Sequence, residues 1–286
     1  MLNLRKGRYL ARFAASEADL HAAQDLRYRA FFGAGRAAPL VNDGAATPET
    51  PLTLAQTARS TAQTPLSSQA LAQASRSLPR RRDHDSFDPR CRHVLIEEEG
   101  ALVACFRLLE LASGTQIDTS YAAQFYDLAA LRTYPGALLE MGRFCLAPNR
   151  HDPDILRLAW GAVTRLVDAG GVKLLFGCSS FPGTDASAHR LAFAQLSRHH
   201  QAPPLWAPRQ KTPLAVPLRS FASQGLDPMA AARAMPPLLR SYLALGGWVS
   251  DHAVVDPQMN TLHVFTGVEI DKVPPARAKL LRAVAG

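Results

Sequence analysis

"LEMGRFCL" (139–146) sets Glu140 and Arg143 into a run that is otherwise apolar or small. Leu139, Met141, Phe144 and Leu146 read as a buried strand, and a buried ion must be paired and hydrogen-bonded to be tolerated there. The strand extends over 137–148. Behind it, "HDPDILRLAWGAVTRLVDAGG" (151–171) predicts an amphipathic helix, with Asp152 as its cap, Pro153 in the first turn and Gly170 at its end. "VKLLFGCSSF" (172–181) follows as a second buried strand and 184–200 as a second helix.

Upstream, "RHVLIEE" (92–98) and "ALVACFRLLEL" (101–111) form two strands around a turn at Gly100, preceded by a strand over 7–14 and a helix over 16–32 capped by Ser16. Between them, 33–78 is rich in Ala, Thr, Ser, Pro and Gln and has no aromatic residue. Such composition supplies little core and reads as a mobile insertion. The predicted organisation is therefore residues 1–32 as the start of one domain, 33–82 as an insertion and 83–286 as the remainder. Past an irregular, Pro-rich 201–235, "PPLLRSYLALGG" (236–247) is a helix stopped by two glycines. Strands over 248–255 and 261–268 then close the chain around "DPQMN". Strand runs joined to a strand–helix–strand–helix unit make the class α+β.

The chain has 286 residues, 47% of them hydrophobic, and a formal charge of +8, with a pI of ≈ 9.7. A basic balance of this size points to an acidic partner. Nucleic acid is the weakest of the acidic partners and is not the one expected, because neither zinc-finger spacing nor an aromatic RNA-binding signature accompanies the arginines. An acidic protein and an anionic membrane face remain. Cys91, Cys105, Cys145 and Cys178 are scattered without a C-x-x-C pair, which fits a reducing compartment. No stretch has signal-peptide shape and no run of ~18 apolar residues is long enough to cross a bilayer. A cytoplasmic protein, soluble or peripheral on the inner membrane, is expected.

Several familiar chemistries fail on spacing. "GCSSFPG" (177–183) has Phe181 where a serine nucleophile elbow needs glycine. His84 and Asp88, like His252 and Asp256, stand one residue too close for the H-x-x-x-x-D pattern of glycerolipid acyltransferases. Cys145, beside Arg143, reads as a small buried hydrophobe. There is no metal-ligand spacing, P-loop or dinucleotide fingerprint. What persists is a set of charges inside apolar elements: Arg27 in "LRYRAFF", Asp85 and Asp88 in "DHDSFD", Arg107 in "CFRLL", and Glu140 with Arg143. Charges in that setting tend to be kept for chemistry or for ion pairs that tie strands together.

These motifs, with "CRHVLI", "FYDL", the Trp of "LRLAW", "LFGCSSFPGTD" and "PPLLRSYLALGG", follow the order of bacterial L-ornithine Nα-acyltransferases, members of the GNAT-like acyltransferase superfamily. The chain resembles that family over 20–32 and about 83–265. A smaller set, Arg27, Phe31, Asp85, Asp88, Arg107, Glu140 and Arg143, is also similar to acyl-homoserine-lactone synthases. Those usually carry a Trp shortly after the Phe, whereas Trp160 is the first here. This chain has Gly142-Arg143-Phe144-Cys145 where the ornithine family has Gly-Arg-Ser-Cys, and Asp251-His252-Ala253 where it has Asp-Gly-Ala.

The resemblance implies a GNAT-like twisted mixed sheet flanked by helices, with a C-terminal helix and β-hairpin extension. It also implies a donor thioester entering where the 137–146 and 172–179 strands splay apart. The implied reaction is aminolysis, in which the α-amine of an amino acid attacks a 3-hydroxyacyl group carried on acyl carrier protein, as the first step of ornithine-lipid synthesis. Ornithine is the implied acceptor, with glutamine the alternative. Glu140 is the implied proton acceptor, and Arg143 is assigned with it to the catalytic set. Arg27, Phe31, Asp85, Asp88, Arg107, Ser179 and Ser180 are assigned to the substrate. Arg143 and Arg107 have two open tasks, clamping the amino-acid carboxylate or fixing Glu140 and Asp85/Asp88 in an ion network. Arg150, just before a helix start, is assigned to the phosphopantetheine phosphate. No tightly bound cofactor is expected, and the partners implied are acyl carrier protein, the amino acid and an anionic membrane face.

Overall fold

Strands dominated by buried Leu, Val, Ile and Phe have to be covered on both faces, and the order of elements meets that requirement. The computed structural model describes residues 2–33, 81–222 and 227–286. The main sheet is built from β1 (Asn3–Lys6), β2 (Tyr9–Phe13), β3 (Arg92–Glu98), β4 (Ala101–Leu111), β5 (Ala137–Leu146), β6 (Val172–Pro182), β7 (Ala215–Pro217), β8 (His252–Asp256) and β9 (Thr261–Glu269). Its order is β1-β2-β3-β4-β5-β6-β9-β8-β7, with the two-residue strand Trp248–Val249 pairing β9 off the path. The helices are α1 (Glu17–Phe32), α2 (Pro153–Gly170), α3 (Arg190–His199), α4 (Pro228–Ala234), α5 (Pro237–Ala244) and α6 (Pro275–Ala285).

The two faces are covered differently. On one, α1 lays Ala23 and Leu26 against Leu95, Cys105 and Cys145, and the short 3-10 turns between Gly114 and Thr133 cover Leu109, Leu138, Leu174 and Phe176. On the other, α2 packs Ile155, Leu158 and Val163 against Ile96, Phe106, Leu139 and Leu175, while α3 and α5 cover Phe181, Leu262 and Val264. Alternation along each strand assigns side chains to these faces. Arg107 and Glu140 therefore share the face of α1 and the 3-10 turns.

Neighbouring pairs are antiparallel except β5 with β6, which run parallel from Ala137/Val172 to Glu140/Phe176, where the pairing stops. Just beyond, Gly177 is needed: a Cβ there would stand 2.3 Å from the Met141 carbonyl oxygen. Past this point the two strands separate, so the expected splay lies between 137–146 and 172–182.

Expected and observed elements differ at a few places. The helix over 151–171 starts at Pro153 under the Asp152 cap, but it is Gly171, left-handed at φ +57°, that terminates it. The predicted 248–255 strand breaks at Ser250, whose Oγ donates to the His252 carbonyl and accepts from Phe265 N. The two strands do not close the chain, because α6 follows and packs on α2. At the contact Gly161 leaves room, since a Cβ would lie 2.8 Å from Val284 Cγ1. The "irregular" 201–235 region holds β7 and α4. Nearly all of the predicted 33–82 insertion falls outside the described residues; of its C-terminal end, Arg82 pairs with Asp25 at 3.2 Å. No described helix is long and apolar enough to cross a membrane.

Candidate active site

Three arginines from three elements meet three aspartates from the segment entering β3. Arg27 of α1 grips Asp88 with both terminal nitrogens, at 2.9 and 2.7 Å. Its Nε lies 2.8 Å from Asp83 Oδ2, and it also donates to the Asp83 carbonyl. Arg107 of β4 holds Asp85 bidentately, at 2.6 and 2.8 Å, and reaches Asp88 at 2.7 Å. Arg143 of β5 donates to Asp83 at 3.1 Å, Asp85 at 3.2 Å and the Tyr121 hydroxyl at 3.1 Å. Gln24 and the His93 ring complete the shell around Asp88. Burial alone would raise the Asp85 and Asp88 carboxyls, but the guanidinium contacts outweigh it and hold both below the usual carboxylate range. The cluster is charge-balanced and ties α1, β4 and β5 together.

Glu140 is not part of it. Its carboxylate accepts from Tyr121 N at 2.8 Å and Ala122 N at 2.7 Å, the first amides of a 3-10 turn. Such a terminus carries partial positive charge, but no arginine neutralises the group. Burial pushes the Glu140 carboxyl up to about 7 against those amides and the more distant Arg107. The expectation that Arg143 or Arg107 fixes Glu140 through an ion network is thus corrected. Both guanidiniums are taken by aspartates, and the backbone orients the glutamate.

Arg143 occupies an unusual backbone state, φ +53°. Between the register pairs Cys105/Cys145 and Arg107/Gly142, β5 carries one residue more than β4, so the chain bulges at Arg143–Phe144. A non-glycine residue in the left-handed region costs about 1–3 kcal/mol and persists only where the surroundings enforce it. Here the contacts to Asp83, Asp85 and Tyr121 do so. The bulge turns the Arg143 side chain toward the cluster and interrupts the ladder at the point where β6 departs.

The opening holds a cavity of ≈ 330 Å³. On the α2/α5 side its wall is apolar: Met141, Phe144, Leu146, Leu156, Leu238 and Leu239. On the opposite side it is polar, with Glu140, Arg107, Tyr121, Asp256 and His263. Gly142 sits between, and a Cβ there would meet nothing closer than Arg107 Nε at 3.9 Å. The arrangement suits a substrate with an oily chain on one side and a reacting polar group on the other, next to a carboxylate balanced between its charged and neutral forms.

Of the residues expected from sequence, Glu140, Arg143, Arg107, Phe31, Ser179 and Ser180 line this cavity. Arg27, Asp85 and Asp88 stand behind it as the ion cluster. Ser179 is buried, its hydroxyl accepting from Thr266 Oγ1 at 2.9 Å. Arg150 lies away from the cavity wall and pairs with Glu98 at 2.7 Å. The adjacent α2 start is occupied by the Asp152 cap, which accepts from Asp154 N at 2.9 Å, so that end is less open to a phosphate than its sequence suggests. Cys145 is buried with its Sγ 3.6 Å from Cys105 Sγ, and its thiol is pushed well above the ordinary range; it packs as a small hydrophobe. Asp83, Tyr121, Asp256 and His263 were not among the expected site residues. Asp83 had a signal, since it opens the same "DHDSFD" run. The others are brought in by loops and by strand register.

A profile of the acetyltransferase (GNAT) domain matches residues 68–161. The L-ornithine N(alpha)-acyltransferase of Rhodobacter capsulatus is 36% identical over 191 residues, 64% of this chain and 73% of that protein. The enzyme of the same name from Rhizobium meliloti is 30% identical over 203 residues, 68% of this chain and 69% of that protein. Among solved structures, FeeM, an N-acyl amino acid synthase from uncultured soil microbes, aligns with a TM-score of 0.45 and 10% identity over 93% of each chain. On the two sequence relatives, this GNAT-fold chain is an acyltransferase and belongs to the L-ornithine N(alpha)-acyltransferase family.

Proposed function

We propose that the protein moves a 3-hydroxyacyl group from the phosphopantetheine thioester of acyl carrier protein to the α-amine of an amino acid, ornithine foremost, opening the synthesis of an amino-acid-containing membrane lipid. The observation that carries this reading is the two-sided cavity at the β5/β6 splay, with an arginine-free carboxylate, Glu140, pushed up to about 7 on its polar wall. The acyl chain lies along Met141, Phe144, Leu156 and Leu238. The amine enters on the side of Glu140.

An α-amine is protonated near neutral pH and attacks only after losing a proton, which Glu140 takes directly or through one water. The amine nitrogen then bonds to the thioester carbonyl carbon. The negative charge gathering on the carbonyl oxygen meets backbone N–H groups freed by the bulge and by the end of β5–β6 pairing. As the C–S bond breaks, the sulfur leaves with its electron pair and takes the proton that Glu140 had accepted; the carboxylate so restored takes the second proton from the adduct's nitrogen, leaving a neutral amide with one N–H, and later releases that proton to solvent. Arg143 and Arg107, saturated by aspartates, hold the β5 bulge and Tyr121 in place. A role for either in clamping the substrate carboxylate requires it to exchange one aspartate for that carboxylate.

Acyl carrier proteins are acidic, and exposed Arg233 and Arg240 bracket Pro236–Leu239, part of the apolar wall. That supports docking of the carrier on this side. Arg150, half exposed, meets the carrier's phosphate by giving up Glu98. The remaining basic surface supports peripheral contact with an anionic membrane, where an amphiphilic product must go. The test is thiol release by purified protein given 3-hydroxyacyl carrier protein and ornithine, with mass spectrometry of lipids from cells expressing it. Thiol release and an N-acylated ornithine are expected; a folded protein that releases no thiol with any common amino acid would sink the reading.

A further inference from the structure

The Arg143 guanidinium has three partners, and one differs in kind from the other two. Asp83 and Asp85 meet it as carboxylates, which only accept. The third is the Tyr121 hydroxyl, 3.1 Å from Nη1. A guanidinium only donates, so the phenol oxygen is the acceptor there and its own O–H proton is left over. Among the described residues no acceptor takes that proton. Burial keeps the phenol protonated against the pull of Arg143.

The ring is placed to offer this proton to a ligand. Tyr121 is only partly buried, and it lines the cavity. Phe87 and Phe125 flank the ring with centroids 5.5 and 5.4 Å away. The guanidinium carbons of Arg107 and Arg143 stand 5.6 and 5.0 Å from its centroid. These four neighbours cover its sides and fix its direction. The two ends of the residue meet two points of β5. The backbone N–H holds the Glu140 carboxylate at 2.8 Å, and the hydroxyl meets Arg143. Gly142, between those points, is bare toward the cavity. A thioester can therefore lie against Gly142 with the attacking amine toward Glu140 and the carbonyl oxygen toward the phenol.

We infer that Tyr121 is a catalytic residue, its hydroxyl donating a hydrogen bond to the thioester carbonyl oxygen and relaying to it the charge of Arg143. The guanidinium keeps both aspartates while it does so. As the amine nitrogen bonds to the carbonyl carbon, the C=O π pair moves onto oxygen. The Tyr121 hydrogen bond then strengthens, because Nη1–H polarises the same phenol. The phenol keeps its proton throughout. When the electron pair returns, the C–S bond breaks and the sulfur is protonated from Glu140, not from Tyr121. The hydroxyl thus adds to the backbone N–H groups of the bulge. The inference rests on the aminolysis reading above and adds a reacting group to it.

The experiment is Tyr121→Phe, assayed with acyl carrier protein thioester and ornithine. Its kcat should fall ~10²–10³-fold, the cost of one oxyanion donor, with both KM values within about twofold of the unmodified protein's. The rise of rate with pH through about 7 should survive, because the backbone N–H that orients Glu140 is unchanged. Tyr121→difluorotyrosine keeps the ring and the hydroxyl but ionises at lower pH. It should stay active near neutrality and lose activity on the alkaline side earlier than the unmodified protein, as the donated proton is lost. A kcat for Tyr121→Phe within about twofold of the unmodified protein's overturns the inference. So does a loss carried by the KM for ornithine, which would put the hydroxyl on the amino-acid carboxylate. A displaced pH limb would make the ring a support for Glu140, and an alkaline limb unmoved by fluorination would leave the phenol without a role; either also overturns it. In all of these cases aminolysis stands. An unmodified protein that releases no thiol overturns both.

Discussion

The arginine–aspartate cluster and Glu140 share strand β5 through Arg143 and handle buried charge in opposite ways. Each aspartate in the cluster is held by two guanidiniums, and Asp85 and Asp88 ionise more readily than a free carboxylic acid. Glu140 has two amides and no adjacent cation, and burial raises it to about 7. A saturated network fixes geometry and resists exchange of partners. A carboxylate held only by dipoles keeps its orientation while still able to gain or lose a proton near neutrality. The first is suited to building the bulge and the second to using it.

The largest effect that would break this contrast is on turnover. Glu140→Gln keeps the size of the side chain and one of the two amide contacts, sets its NH2 against the other backbone N–H, cannot take a proton, and should lower turnover ~10²–10⁴-fold. In the unmodified protein the rate should rise with pH through about 7, as the base ionises, and this limb should vanish in the variant. Stability carries the opposite sign in the two regions. The Glu140 carboxyl is raised from 4.5 to about 7, so its contribution is fully present below 4.5 and is lost as pH rises through 7. Asp85 and Asp88 are lowered from 3.8, so theirs is present above 3.8 and is lost on further acidification. Urea midpoints measured from pH 3 to pH 8 for the unmodified protein and Glu140→Gln check this. A variant with the same loss between 4.5 and 7 would erase the distinction.

Next in size is Arg27→Leu, which leaves Asp88 and Asp83 one guanidinium each and the buried cluster one positive charge short. It should destabilise by roughly 3–5 kcal/mol, measured by denaturant unfolding, although Arg27 does not line the cavity. A small cost would mean that the cluster is not what anchors α1.

Two glycines sharpen the comparison at a smaller scale. Gly177→Ala forces a Cβ to 2.3 Å from the Met141 oxygen and should cost about 1–3 kcal/mol as the strands shift. Gly142→Ala puts its methyl into open cavity, with stability within about 0.5 kcal/mol but a raised KM for the acyl donor. Equal stability losses in the two would mean the cavity wall is packed as tightly as the base of the splay. The smallest effect is at the surface. Replacing Arg233 and Arg240 by Ser should weaken use of acyl carrier protein at low ionic strength and leave a small thioester donor unaffected, read from kcat/KM with each donor.

The two regions also differed in how far they could be read in advance. Apolar periodicity with Gly and Pro punctuation located β3, β4, β5, β6, α1 and α2 to within a residue or two. Hydrophobic patterning acts over neighbours along the chain, so one sequence carries it. The oddity of Glu140 and Arg143 inside an apolar strand marked the site for the same reason. α6 escaped notice because only one of its residues, Ala285, is buried, leaving a faint stripe. β7 has only half-buried residues and a Pro.

Partnership was another matter. Only Met141 and Gly142 separate Glu140 from Arg143, and adjacency along the chain suggests pairing them. An extra residue in β5 turned Arg143 toward aspartates some sixty positions away and left Glu140 to the amides of Tyr121 and Ala122. Tyr121, Asp256 and His263 reach the cavity through a turn and a hairpin register whose side chains look ordinary in their own neighbourhoods. Local propensity and the presence of buried charge are properties of short segments, and the chain alone determined them. Which charge meets which, and which carboxylate is left without a cation, depends on bulges, register and chain crossings between distant segments. Those come into existence only when the sheet closes.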